Sequence, residues 1–328
     1  MLFSEEKFMD IIILFFIIFV IINIRFENND NPLSSENTQR LRGVLAIVII
    51  LHHMSERING GYFFPFLQHM GYLICAFFFF LSGYGLFLSY KKNGEKYLQK
   101  FCKKHILYLT IIFLLVSLIY TTYYIIIGNF RPSITIAANS WYVLIQLILY
   151  FIFWISFTIF KGKYSFFSIF LFQILLTIVL IIYERPSIWY ISNFGFILGI
   201  LTANYYNQII SFLNNNFIYN IILFFILFAV LSFIPFLYGY YILTRMFSSI
   251  VFCFIIVCML CKIKFIGYTT KWLGSISLEI YLLHGLAYIV LNHFVKNDVL
   301  WTLLTISLTI PISCALNILD DRIKKILQ

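Results

Sequence analysis

Long apolar runs constrain this chain more than any other feature. There are eleven, most of them roughly 17–20 residues long, the length a helix needs to cross a hydrocarbon layer of about 30 Å. They lie at roughly 8–24, 43–56, 71–90, 106–127, 141–160, 165–183, 188–204, 217–236, 245–261, 272–291 and 299–319. We expect no soluble domain of useful size in the gaps or at the ends. The pattern predicts an all-α fold, a polytopic integral membrane helical bundle of about 10–11 transmembrane helices.

The composition agrees with a membrane protein and excludes the soluble globular class. Hydrophobic residues make up 62% of the chain and charged residues 11%, whereas soluble domains are about half apolar and a quarter charged. A transmembrane β-barrel would show short alternating segments instead. The net charge of +10 is spread over short loops, which suits a membrane surface. We therefore predict contact with membrane lipid and no nucleic acid partner.

Lysine and arginine are distributed unevenly between the two sets of loops. If the first run crosses from outside to inside, 17 of the 23 Lys and Arg residues fall on the inner side. Such an excess marks the cytoplasmic side, so we predict a multi-pass cell-membrane protein with its N-terminus outside and its C-terminus in the cytoplasm. The leader MLFSEEK is acidic, and no small-residue cleavage site follows the first run. We therefore expect residues 1–39 to form an additional N-terminal transmembrane helix with a polar cytoplasmic loop, and 40–328 to form the main transmembrane domain.

The segment RLRGVLAIVIILHHM at residues 40–54 places ionisable side chains in an apolar run. Arg42 and His53 are eleven positions apart, so a helix brings them within about 20° of one face and about 16 Å apart along its axis. His52 points about 80° away from Arg42. Ionisable groups inside a bilayer are costly and usually functional. Alternatively, HHMSER is simply the polar outer end of the helix, with both histidines at headgroup level.

A late segment, SISLEIYLLHG at 275–285, carries further polar side chains. Ser277 and His284 share a helical face, with Tyr281 one turn from His284, and Glu279 falls near mid-membrane on another face. Functional use and structural hydrogen bonding are both open for His284 and for Glu279.

The sequence predicts neither a metal site nor a tightly bound cofactor. There is no H-E-x-x-H motif and no carboxylate pair at ligand spacing. Cys258 and Cys261 form a lone C-x-x-C without a second pair, and the six cysteines suit buried small thiols better.

Four segments together resemble the acyltransferase-3 family of membrane acyltransferases that modify cell-surface glycans. They are RGVLAIVIILHH with the Arg-ten-His spacing of Arg42 and His53, FFFLSGYGLF at 78–87, NSWYVLIQLILYF from Asn139, and SISLEIYLLHG. They occur in the family's order and cover about 40–290. Each segment alone is weak, but the ordered set is fairly specific.

The resemblance implies an O-acyltransferase, with an acyl group, expected to be acetyl, moving from cytoplasmic acetyl-CoA to a hydroxyl of an envelope polysaccharide or lipid-linked glycan precursor. His53 would be the general base or, alternatively, would carry a transient acyl group. Glu279 and His284 are further catalytic candidates. The donor-binding candidates are Arg42, Ser82, Lys100, Lys103 and Lys104.

Each donor-binding candidate also has a simpler explanation. The small residues of LSGYG, which include Ser82, let helices approach closely. Six lysines in YKKNGEKYLQKFCKKH are what the positive-inside rule produces. This segment also departs from the family, because it offers lysines where the family often has an Arg-x-x-Arg pair, and lysine lacks the bidentate fork of arginine.

Two other classes of membrane protein remain possible. A transporter or exporter could use buried His and Glu as a proton path, and would show an internal repeat with broken helices in matching positions of two halves. The membrane-bound O-acyltransferase superfamily also places a histidine in the membrane, but late in the chain and without the Arg-ten-His opening.

Overall fold

The computed structural model describes residues 5–58, 61–128, 141–238 and 241–327, and this part of the chain is almost wholly helical. Arg131 of a predicted outer loop and Asn139 of the third motif lie outside these ranges. The α-helices are α1 Glu5–Ile22, α2 Ser35–Arg57, α3 Gly71–Asn93, α4 Glu95–Phe101, α5 Tyr108–Ile126, α6 Trp141–Ile159, α7 Lys163–Ile182, α8 Phe194–Asn204, α9 Tyr206–Asn215, α10 Phe217–Tyr238, α11 Tyr241–Leu260, α12 Tyr268–Ser275, α13 Ser277–Phe294 and α14 Asp298–Leu327.

Shorter elements connect these helices. A π-helix, Cys102–Leu107, joins α4 to α5, and 3₁₀ helices lie at Phe64–His69 and Ser187–Trp189. Two short strands, β1 Ile24–Phe26 and β2 Ile263–Phe265, pair antiparallel. The chain divides into two compact units: unit 1 comprises residues 1–74 and 260–322, and unit 2 comprises residues 75–259 and 323–328.

Unit 1 is built around α2, which is buried on nearly every side along its apolar stretch. Its buried residues include Gly43–Ala46 and Val48–His52, and a helix that is apolar all round belongs in an interior. Side chains from α1, α12, α13, α14 and the first 3₁₀ helix pack around it. They form one core of Met9, Ala46, Ile50, Leu51, Met54, Ile58, Phe64, Leu273, Ile276, Ile280 and Trp301.

Local signals define both ends of α2. The Ser34 side chain accepts a hydrogen bond from the Asn37 backbone N–H at 3.3 Å, which caps the N-terminus. Glu36 in the first turn and Arg57 in the last turn suit the helix dipole. The helix is uninterrupted from Ser35 to Arg57, so Arg42 and His53 lie on one continuous helix, as their spacing requires.

Glycine permits the close contact between α2 and α12. A Cβ added to Gly274 would overlap the backbone oxygen of Gln39, and one added to Gly43 would lie 2.5 Å from the backbone oxygen of Thr270. The two backbones therefore touch where neither residue has a side chain, as in other tightly packed membrane helices.

Unit 2 contains the remaining helices, and its interior is rich in aromatic rings. Phe153 packs against Phe101 and Phe157, with ring centroids 5.4 and 4.7 Å apart. The helices α3 and α8 approach closely, because a Cβ on Gly83 would overlap the backbone oxygen of Phe196. Gly195 and Gly199 of α8 have the same relation to Ala76 and Phe80 of α3.

The structure confirms a polytopic helical membrane protein. Among the described residues, seven helices are long and apolar enough to cross a membrane, and up to nine if each of two bent pairs is one span. The bends measure 93° between α8 and α9 and 73° between α12 and α13. Many large apolar side chains of α7 and α10 face outward, such as Ile182 and Phe233 at 69% and 61% exposure, which suits a lipid environment.

The number of spans differs from the sequence prediction at the two N-terminal runs. The apolar part of α1, Met9–Ile22, is shorter than the seven spans. The helix α2 carries Arg40, Arg42, Glu56 and Arg57 in its end regions, and the neighbouring helices bury its apolar middle. The run at 272–291 is also not one straight helix, since it breaks at Ile276 between α12 and α13.

The glycine contact predicts a difference between two equivalent substitutions. Gly274→Ala forces backbones apart, and overpacking typically costs about 1–3 kcal/mol, so the apparent Tm of the purified protein should fall by several degrees. Gly85→Ala is the control, because a Cβ there meets nothing within 4 Å. Tryptophan fluorescence during heating in detergent measures the apparent Tm of both variants. Equal melting temperatures would contradict the packing described.

Candidate active site

The candidate site in unit 1 forms where the C-terminal end of α2 meets α13. The His53 ring stacks on the His284 ring, with centroids 5.0 Å apart and planes 22° apart. Tyr288, one turn beyond His284, lies with its ring centroid 6.2 Å from that of His53. Two of the three predicted catalytic side chains are therefore neighbours, although 231 positions separate them in the chain.

Glu56 orients the His53 ring. The His53 Nδ1 lies 2.7 Å from Glu56 Oε2, and an ionised carboxylate can only accept, so Nδ1 carries the proton and donates it. The neutral ring then has its lone pair on Nε2. An imidazole held by a carboxylate in this way has the arrangement of a general base with its orienting partner. The His53 side chain is 37% exposed and can be reached by solutes.

His284 is buried, and its tautomer is set by its own helix. Its Nδ1 lies 3.1 Å from the backbone oxygen of Ile280, which only accepts, so this nitrogen also carries the proton. Tyr288 donates its hydroxyl hydrogen to the backbone oxygen of Ile50 at 2.6 Å. This bond fixes α13 against α2 beside the two stacked rings.

A different segment holds His52. Its Nδ1 lies 2.9 Å from the backbone oxygen of Leu67 in the first 3₁₀ helix. A Cβ on Gly71 would overlap the ring near Nε2, so glycine leaves room there. Nε2 faces Glu56 Oε1 at 3.7 Å.

An aromatic and charged group closes one side of the site. The Trp301 ring stacks on Tyr288 with centroids 5.2 Å apart, and the Arg57 guanidinium lies 4.1 Å from the Trp301 ring centroid. Arg57 also hydrogen-bonds Asn292 and lies 3.7 Å from an Asp298 oxygen. Cation–π contact and ion pairing together fix Trp301 behind Tyr288.

Glu279, the third predicted catalytic residue, is not part of this group. The break at Ile276 places it in the first turn of α13, not near the middle of a straight span as the sequence suggested. Its Oε1 accepts a hydrogen bond from Asn317 Nδ2 of α14 at 3.0 Å. Its catalytic role stays a prediction, and the contact with Asn317 supports the alternative of structural bonding.

Arg42 is exposed near the N-terminal end of α2, about 16 Å along the helix axis from His53. Charged side chains surround this end of unit 1. Glu36 lies 2.9 Å from Arg40 and 3.4 Å from Lys271. The Arg40 guanidinium, assisted by Lys271, lowers the pKa of the Glu36 carboxyl below its usual value.

The remaining predicted donor-binding residues belong to unit 2. Ser82 is half-buried on α3, next to Gly83, whose contact with Phe196 supports the packing explanation for the LSGYG segment. Lys100 lies in the last turn of α4, and Lys103 and Lys104 are exposed on the π-helix. A π-helical turn is rare and frequently marks a functional segment.

The site also brings together a set of metal-ligand types that the motif search did not predict. One ligand atom each from His52, His53 and Glu56 lies within 4.8 Å of the other two. Their spacing, H-H-x-x-E, matches no standard motif, so no sequence pattern identifies these three residues as a group.

The fold and the site together define the class of protein. It is a multi-pass membrane protein in which a carboxylate holds one histidine beside a second histidine. The model of an acyltransferase domain family, acyltransferase family 3, matches residues 39–318. The chain belongs to this family, as the four motifs indicated, and the match makes it an acyltransferase. No curated protein and no solved structure matches the chain.

Sequence reasoning missed two residues of the site. Glu56 belongs by sequence to the polar helix end HHMSER, although its position three residues after His53 puts it on the same helical face. Tyr288 contacts α2 only through the tertiary fold. A tyrosine one turn after His284 was a weak signal for it.

The Glu279 contact gives a prediction that separates structural bonding from catalysis. Asn317→Leu leaves a buried carboxyl without its donor and should cost about 1–3 kcal/mol, seen as a lower apparent Tm. Adding Glu279→Gln to that variant should recover part of the loss, since burying an amide costs less free energy than burying a carboxylate. The surface variant Asn215→Leu is the control. If Asn215→Leu and Asn317→Leu melt at the same temperature, the hydrogen bond between Asn317 and Glu279 does not stabilise the protein.

Proposed function

We propose that the protein transfers an acyl group, acetyl in the first instance, from cytoplasmic acetyl-CoA to a hydroxyl of an envelope polysaccharide or its lipid-linked precursor. The observation that carries the proposal is the convergence of His53, Glu56 and His284 inside the region matched by the family. Acyl transfer to a hydroxyl needs a base at the reacting oxygen, and His53 is the partly exposed imidazole with a fixed tautomer.

His53 would act through Nε2. The acceptor hydroxyl oxygen attacks the thioester carbonyl while its proton passes to Nε2, and the tetrahedral intermediate then collapses to the ester with release of the coenzyme thiolate. The imidazolium returns the proton to that thiolate. Glu56 stabilises the imidazolium across the 2.7 Å contact and keeps Nε2 available.

His284 and Tyr288 would position His53. A ring stacked at 5.0 Å limits rotation of the His53 imidazole, and the Tyr288 hydroxyl ties the two helices together. Preorganisation of this kind contributes to catalysis because a misplaced base lowers the reaction rate. The transient acyl-histidine is the weaker variant, and it uses the same Nε2 as nucleophile.

Cationic side chains would hold the donor. Acyl-CoA carries phosphates, and lysines bind phosphate as point charges. Lys100, Lys103 and Lys104 are exposed in unit 2 and Arg42 is exposed in unit 1, so each is accessible to an anionic donor. The predicted orientation, with the N-terminus outside, puts all four on the cytoplasmic side, where the donor is found.

One observation favours a second candidate, a transporter or exporter with a His/Glu path. Unit 1 and unit 2 each contain one sharply bent helix pair, and broken helices are a feature of transporters. Transfer of labelled acetyl from acetyl-CoA to water or to glycan by the purified protein distinguishes the two, because a pure transporter catalyses neither.

The base assignment predicts graded losses of transfer. His53→Gln should lower kcat by about 10²–10⁴-fold, the usual contribution of a general base. Glu56→Gln should lower kcat at least about 10-fold with the donor KM nearly unchanged, since the amide no longer stabilises the imidazolium. Labelled acetyl incorporation into glycan by purified protein measures both.

His293→Ala is the matched control, because His293 is an exposed histidine at the end of the same helix as His284. Its kcat should stay within about 2-fold of the unmodified protein, as most surface substitutions have small effects. Near-normal transfer by His53→Gln rules out both the general base and the acyl-histidine.

The donor assignment predicts an effect on KM. Replacing Lys100, Lys103 and Lys104 together by Gln should raise the KM for acetyl-CoA about 10-fold, equivalent to about 1.4 kcal/mol of binding, with kcat little changed. The control replaces Lys91, Lys92 and Lys96, which removes the same charge from the neighbouring segment. An equal rise in both triple variants would show that only bulk charge matters.

A further inference from the structure

We infer that His52, His53 and Glu56 form a binding site for a divalent transition-metal ion, represented by Zn²⁺, and that this site shares the His53 imidazole with the transferase chemistry. The metal site stands on geometry alone. Only its effect on transfer rests on the proposed function.

His52 and Glu56 present two hydrogen-bond acceptors that face each other. The Leu67 carbonyl accepts from His52 Nδ1 at 2.9 Å, so Nε2 of the neutral ring carries a lone pair. That lone pair faces Glu56 Oε1, another acceptor, at 3.7 Å. Two acceptors at this separation repel unless a cation lies between them, and two metal–ligand bonds of about 2.0–2.2 Å span such a distance.

His53 supplies the third ligand. His53 Nδ1 lies 2.7 Å from the other Glu56 oxygen, and all three ligand atoms lie within 4.8 Å of one another. Tetrahedral coordination places ligand atoms about 3.4 Å apart. Because the His53 and Glu56 side chains are 37% and 52% exposed, modest rotations reach this geometry while α2 and the His52 ring stay fixed.

The surroundings of these three side chains also suit a metal ion. Metal-binding histidines usually donate their other ring N–H to a carbonyl or carboxylate, which fixes the tautomer, and Leu67 supplies that carbonyl for His52. Gly71 leaves space beside Nε2. The exposed Glu56 gives an entry path and an open fourth position for water. Two imidazoles and one carboxylate suit zinc better than magnesium or calcium.

Metal binding and base catalysis exclude each other at His53. A metal on Nδ1 moves the ring proton to Nε2, so Nε2 loses the lone pair that would take the hydroxyl proton. Zn²⁺ should therefore inhibit transfer by occupying the same ring, without entering the reaction.

The binding test uses the untagged full-length protein in detergent, with Zn²⁺ measured after equilibrium dialysis and Co²⁺ as a spectroscopic probe. One high-affinity ion per chain is expected, with visible Co²⁺ absorption typical of a tetrahedral nitrogen and oxygen site. His52→Asn keeps an N–H for the Leu67 carbonyl but removes the Nε2 ligand, and should weaken binding at least about 100-fold. Glu56→Gln should weaken it similarly, and His293→Ala should not.

Two binding results would overturn the site. One is Zn²⁺ affinity unchanged in both His52→Asn and Glu56→Gln, which means that only a proton bridges His52 and Glu56. The other is an intense near-ultraviolet Co²⁺–thiolate band, which would place the ion on cysteines such as the buried Cys258 and Cys261.

The transfer test separates this inference from the proposed function. Zn²⁺ should inhibit acetyl transfer by the unmodified protein, whereas the transfer rate of His52→Asn, compared with its own rate in the absence of Zn²⁺, should show no inhibition. Specific binding without inhibition would keep the metal site and overturn the assignment of His53 as base. Inhibition that persists in His52→Asn would overturn the shared site.

Discussion

The burial of α2 inside unit 1 is the interaction on which the rest of the site depends. Helices from both ends of the sequence surround α2, and it meets α12 through a backbone contact at Gly43 and Gly274 that no side chain could occupy. Because α2 cannot rotate in this packing, the positions of His52, His53 and Glu56 are fixed relative to α13. Helix packing, and not a flexible loop, therefore fixes the positions of the reactive groups.

Much of the helical fold was predictable from apolar run lengths. The run at 141–160 became Trp141–Ile159, and the run at 165–183 became Lys163–Ile182, since lipid-facing helices must be apolar and long enough to span. The break at Ile276 was not predictable, because it involves no proline and depends on how α12 and α13 pack. The hydropathy of α2 could not predict its position inside the protein, since lipid and protein interiors both favour apolar residues.

The candidate site was predictable in part. Helix periodicity and the family resemblance singled out His53 and His284, and the fold brings their rings into contact. Glu56 was missed because a carboxylate near a helix end fits a headgroup location equally well. Glu279 was placed by treating a bent pair as one straight helix, and its Asn317 partner comes from a separate segment that no local pattern connects to it.

The same three side chains offer two chemistries. A carboxylate beside an imidazole can hold it as a base, and a second imidazole near that carboxylate adds the third ligand that a metal needs. Both uses follow from three residues within one and a half turns of a rigid helix.

The most direct test of the central claim, that the His53 Nε2 lies where the donor reacts, is site-resolved modification by diethyl pyrocarbonate, which reacts with a free imidazole nitrogen. Mass spectrometry would follow His53 and the exposed His293 with and without a non-hydrolysable thioether analogue of acetyl-CoA. The account predicts that the analogue slows modification of His53 severalfold and leaves His293 unchanged. An equal modification rate of His53 with and without saturating analogue would contradict it.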